Sequence, residues 1–101
     1  MPWLARTRAR DVVVAAQPDD VLLQGVAVLR RLGARITRYD VEEGTAEARL
    51  RRFARPAVIR LRAEAAGTSA TRLHVESDAV AWALMFRRFR GALLLVERRA
   101  P

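Results

Sequence analysis

Cysteine is absent from this 101-residue chain, and so are lysine and asparagine. Without thiols there is no disulfide framework, no thiolate zinc site and no cysteine nucleophile. The same absence fits a reducing compartment, so a cytoplasmic location is the expectation. Histidine occurs once, as His74. One imidazole among scattered carboxylates matches no metal-ligand spacing, so no metal is expected. Long apolar runs are missing too. None reaches the ~18–20 residues of a membrane span. The basic N-terminal residues precede only Val12 to Ala16 before Asp19-Asp20, too short an apolar core for a secretory signal. There is no Gly-rich phosphate loop, since Gly25 and Gly33 stand alone. Internal repeats and low-complexity linkers are likewise absent. With no catalytic constellation and no cofactor motif, the expectation is a non-enzymatic domain.

What is present bounds the rest. The length suits one domain, residues 1–101, with residues 1–9 as a basic arm or as a frayed end whose Trp3 packs on nearby apolar surface. A hydrophobic fraction of 51% excludes a disordered chain. The formal net charge is +8, and every one of the 19 basic residues is arginine. Arginine without lysine or asparagine is the mark of a GC-rich genome. It weakens the basic balance as an argument for a nucleic-acid partner.

The middle of the chain carries the clearest pattern. Ala46 to Arg51, Ile59 to Glu64 and Arg72 to Glu76 each alternate apolar or small residues with charged ones. A period of two is that of a half-buried strand, so the three runs predict an antiparallel meander. Its dry face would hold Ala46, Ala48, Leu50, Ile59, Leu61, Ala63, Leu73 and Val75. Its wet face would hold Glu47, Arg49, Arg51, Arg60, Arg62, Glu64, Arg72, His74 and Glu76. Ala54-Arg55-Pro56 and Ala66-Gly67-Thr68-Ser69 are the predicted breaks.

The flanks complete the layout. Arg10 to Ala16, with Val12-Val13-Val14, reads as a first strand. Pro18 at the first helical position, Asp19 and Asp20 in the first turn, and an apolar stripe of Leu22, Gly25, Val26, Leu29 and Leu32 predict a helix over 18–32. Gly33 suits the position after its C-cap. Ala34 to Val41 is a strand of open phase: either Ile36, or Tyr39 with Val41, faces inward. Ser77-Asp78 is an N-cap candidate. Trp82, Met85, Phe86, Phe89, Leu93 and Val96 form the stripe of a second helix, bent near Gly91. A strand over 92–97 is the alternative.

The fold class that follows is α+β, in the order β-α-β-β-β-β-α, with a five-stranded antiparallel sheet and two helices on one face. This order of elements resembles the arrangement of TATA-box-binding-protein-like domains, also approached by short bacterial domains of unknown function and by helix-grip domains. The resemblance implies helices over the dry face and an open wet face. It carries no residue motif and hence no site residues.

The candidate site residues are Arg49, Arg51, Arg60, Arg62, Arg72 and His74 on the wet face. Guanidinium groups pair with phosphates or carboxylates, which suggests an acidic partner or nucleic acid. Interleaved glutamates and the lack of stacking aromatics argue for a self-neutralised face instead. Binding or homo-oligomerisation through this face or a sheet edge is the leading expectation. Polyanion binding by the same face comes second. A small apolar ligand under the second helix, opposite Ala46, Ala48 and Ala63, comes third. His74 with Glu76 two residues on is the one acid–base pair in view.

Overall fold

The structure is a computed structural model, and it describes residues 8–52, 55–78 and 82–99. In chain order the elements are β1 (Arg8–Val14), α1 (Pro18–Arg31), β2 (Arg35–Asp40), β3 (Thr45–Arg52), β4 (Arg55–Ala65), β5 (Thr71–Ser77) and α2 (Trp82–Arg99). The strands form one five-stranded sheet in the order β1-β5-β4-β3-β2, with every pairing antiparallel. β2 to β5 are a meander, and β1 returns to close its far side against β5. The predicted α+β order is the observed one. Arg8 and Ala9, expected in the arm, belong to β1. Trp3 lies outside the described residues.

The covered face follows from the alternation. Ala46, Ala48, Leu50, Ile59, Leu61, Ala63, Leu73 and Val75 are all buried. Fully burying a Leu, Ile or Val side chain contributes about 1.5–3 kcal/mol, so the two-residue period alone commits this face to the core. α1 lies over β2 to β5, while α2 packs on α1 and β1. Val21, Leu22, Val26, Val28 and Leu29 of α1 are buried, as are Phe89 and Leu93 of α2. β3 and β4, which carry the alanines expected under the second helix, lie beneath α1.

The ends of α1 show how locally the chain is specified. Pro18 stands in the first turn, followed by Asp19 and Asp20, with Arg30 and Arg31 in the last. Both charge pairs suit the helix dipole. At the other end Gly33 takes φ +93°. Its N–H donates to the Arg30 carbonyl, and the Ala34 N–H donates to that of Leu29. These are the two bonds of a Schellman cap, which wants a residue without Cβ at the left-handed position. Before the helix, the buried Thr71 hydroxyl donates to the Ala16 carbonyl at 2.7 Å. That bond ties the β1–α1 connection to the first residue of β5. β1 consequently ends at Val14, two residues short of the expected Ala16.

Two expectations change. β2 does not choose between Ile36 and Tyr39. Its register against β3 shifts between Ile36 and Arg38, so Ile36 opposes Ala48 and packs half-buried on the core, while Tyr39 opposes Ala46 on the same side of the sheet but stays exposed, as does Val41. The extra residue is Thr37, whose hydroxyl donates to the Glu47 carbonyl at 3.2 Å. A bulge adds one residue to one strand and reverses the phase beyond it. Next, Arg55 and Pro56 are not a break. They open β4, with Pro56 opposite Arg51. The start of a strand is where a residue without an N–H is tolerated. Ser77 ends β5 and is buried. Asp78 accepts a hydrogen bond from the Val58 N–H at 2.9 Å. The N-cap expected of Ser77-Asp78 would act on residues 79–81, which lie outside the described set. α2 runs unbroken through Gly91 to Arg99, which settles residues 92–97 as helix.

Candidate functional site

Rungs across the sheet set the geometry of the open face. One rung runs Glu76 of β5, Arg60 of β4, Glu47 of β3, Arg38 of β2. Arg60 bridges both acids, its Nε 3.2 Å from Glu47 Oε2 and its Nη1 3.5 Å from Glu76 Oε1. The Glu47 hydrogen bond, and then its charge and the Glu76 pair, hold the Arg60 guanidinium above its ordinary pKa against a smaller opposing effect of burial. Arg60 is therefore spoken for. The next rung runs Asp11 of β1, His74 of β5, Arg62 of β4, Thr45 of β3. Here His74 Nδ1 lies 2.6 Å from Asp11 Oδ1. An ionised carboxylate only accepts, so Nδ1 carries the hydrogen and donates.

The expected acid–base pair is thus corrected. His74 pairs with Asp11, not with Glu76, which Arg60 holds. The six predicted site residues share the open face but do not form one site. Arg62 is exposed and, among the described residues, makes no ion pair. Arg72 lies directly opposite Glu64. Arg49 lies opposite Arg35, with Arg51 two residues on, at the β2–β3 corner. A hollow of about 200 Å³ lies between these groups, lined by Thr45, Glu47, Arg60, Arg62, His74 and Glu76 among others.

A second concavity escaped the sequence reading. A groove of about 430 Å³ runs between β1 and α2, lined by Arg10, Phe86, Arg87, Arg90 and Gly91. Arg10 opposes Val75 in the β1–β5 register, so it lies on the covered side of the sheet. It stays exposed there because β1 is an edge. On α2, Arg87 and Arg90 are three residues apart and share a helix face. Phe86 is half-buried against the core cluster, and a Cβ added at Gly91 would meet nothing within 4 Å. The groove thus has an apolar floor, three guanidinium groups around it and, among the described residues, no carboxylate in its lining. Arginines beyond an apolar stripe normally read as a solvated face, which is why periodicity alone did not find them. Among the described residues no helix is long and apolar enough to cross a membrane, and no group of three or more His, Cys, Asp and Glu could hold a metal.

No family model and no curated protein matches the sequence. Among solved structures the chain is similar to the di-domain ARO/CYC BexL from the BE-7585A biosynthetic pathway. The likeness has a TM-score of 0.66 at 11% identity and covers 86% of this chain and 44% of that one. The chain thus spans less than half the length of the protein it matches. At this identity the likeness is one of fold. It lies with an aromatase/cyclase and not with the TATA-box-binding-protein-like domains suggested by element order. It also corrects the expectation of a non-enzymatic domain to this extent: the fold is one that an aromatase/cyclase uses as well. A scaffold that serves an aromatase/cyclase needs no catalytic motif visible at the sequence level, so the missing motif does not argue against chemistry.

Proposed function

We propose that this domain binds a small aromatic carboxylate in the groove between β1 and α2. The observation that carries this reading is the pairing of an apolar floor at Phe86 with Arg10, Arg87 and Arg90, with no carboxylate among the described residues of the lining. Guanidinium matches carboxylate in a bidentate fork and also stacks on aromatic rings, so one residue type serves both ends of such a ligand. The likeness to an ARO/CYC supports an aromatic small molecule over a peptide. Arginine stays charged at all working pH, so these residues bind and orient and do not transfer protons.

Calorimetry with 2-naphthoate tests the reading. Replacing Arg87 and Arg90 by Gln together is expected to weaken binding by about tenfold or more, at the 1.5–3 kcal/mol typical of a hydrogen bond to a charged group. Gly91→Leu, which projects a side chain into open space, is expected to abolish binding while the fold persists. Binding that survives both changes would refute the groove as the site.

A second reading rests on a different observation. Arg35 directly opposes Arg49, with Arg51 beside them. Opposed like charges on neighbouring strands repel, and a polyanion would relieve them. This reading expects oligonucleotide affinity that falls steeply with salt and weakens when Arg35, Arg49 and Arg51 become Ala. Salt-insensitive affinity would sink it.

A further inference from the structure

The structure assigns a second site, independent of the groove, to the hollow on the open face: we infer that Asp11, His74, Arg62 and Thr45 form a proton-transfer site for small 2-oxo carboxylates. Three observations meet there. Asp11, His74, Arg62 and Thr45 are successive neighbours across β1, β5, β4 and β3, each directly opposite the next. Opposed side chains on one face stand about 5 Å apart at Cβ, the span of a molecule of three or four carbons. Asp11 fixes the His74 tautomer through Nδ1 at 2.6 Å, and among the described residues Nε2 has no partner. An imidazole held this way presents a lone pair at Nε2, the arrangement of an oriented general base. Finally, Arg62 is the guanidinium of the hollow left without a carboxylate, because Glu47 and Glu76 both turn to Arg60.

The chemistry follows from these positions. Arg62 takes the substrate carboxylate. Nε2 of His74 removes a proton from the carbon next to the ketone, and the electron pair left behind forms the enolate. Thr45 lines the same hollow, and its hydroxyl serves as the neutral donor to the oxygen where negative charge develops. Asp11 stabilises the imidazolium formed on His74 and acts as a positioning residue. Return of the proton to carbon restores both substrate and base. No oxidant, metal or co-reactant is needed, and the hollow of about 200 Å³ suits a substrate of this size.

The test is exchange of the pyruvate methyl protons for deuterium in D2O, followed by proton NMR with the full chain. Exchange is expected to exceed that of equimolar free imidazole by on the order of 10²-fold, the usual scale of positioned general-base catalysis. His74→Gln removes the excess. Arg62→Gln raises the pyruvate concentration at half-maximal rate and leaves the limiting rate within about threefold, because it acts on uniform binding. For Asp11→Asn the readout is nitrogen NMR of the imidazole, unambiguous because the chain has one histidine. The wild type is expected to carry its hydrogen on Nδ1, and the variant to lose that preference together with rate. Circular dichroism of each surface variant confirms folding. Exchange no faster than free imidazole, exchange insensitive to His74→Gln, or a wild-type Nε2–H tautomer overturns the proposal.

Discussion

Arg60 is the residue on which the charge of the open face turns. It lies between two acids on neighbouring strands, with side-chain exposures of 57% for Arg60 and 30% and 31% for Glu47 and Glu76. Such partly wet pairs couple weakly, at about 0.2–1 kcal/mol each. A double-mutant cycle on Arg60→Ala and Glu47→Ala by urea unfolding is expected to give a coupling in that range, smaller at high salt. A coupling near zero would show the pair to be incidental. The raised Arg60 pKa means its contribution is fully present below the unfolded-state value and lost only as pH rises through the folded-state value, beyond any working pH. His74 shows what a residue's own neighbourhood in sequence cannot reveal. Glu76 is near in sequence and on the same face, but residues two apart along a strand are about 7 Å apart. Directly opposed residues stand at about 5 Å. Asp11, 63 positions away in sequence, therefore holds the imidazole.

Among the elements, the two helical glycines make a matched pair. Gly25 of α1 and Gly91 of α2 both cost helix propensity, about 1 kcal/mol relative to Ala. A Cβ at Gly25 would stand 2.9 Å from Leu61 Cδ1 and 3.6 Å from both Leu73 Cδ2 and Phe89 Cζ, whereas one at Gly91 meets open space. Gly91→Ala is accordingly expected to stabilise the protein by about 1 kcal/mol. Gly25→Ala is expected to destabilise it by about 1 kcal/mol net, because overpacking costs about 1–3 kcal/mol against the same propensity gain. Thermal unfolding of the two variants checks both, and a stabilising Gly25→Ala would show that Leu61 can yield. α1 was readable from its stripe, its proline and its cap because each signal is local. β2 was not. Its bulge at Thr37 depends on a pairing partner, Glu47, that periodicity does not see.

For the whole molecule, the net charge of +8 sets a repulsion that the internal ion pairs do not cancel. Arg35 opposite Arg49 and the arginines of the groove concentrate it at two places on the surface. Screening falls to a Debye length of about 10 Å near 0.1 M salt, so added salt weakens repulsion between exposed charges of like sign. The urea midpoint is expected to rise between about 0.01 M and 0.1 M NaCl, over which the Debye length shortens from about 30 to 10 Å. A falling midpoint would mean that the Arg60 bridges and similar pairs outweigh the excess charge. The same measurement with 2-naphthoate present separates general screening from occupation of the groove.

Alternation and amphipathic stripes, by themselves, determined the order of the elements and the face that β3, β4 and β5 bury. The hydrophobic effect acts on each side chain according to its period, and period is a property of the chain alone. Only the tertiary structure decided which charges meet. It joined Asp11 to His74, gave Arg60 to two acids, left Arg62 without one among the described residues, and set Arg10 beside Arg87 and Arg90. Those choices depend on strand register and on where a helix crosses an edge, quantities that arise only when distant segments are brought together.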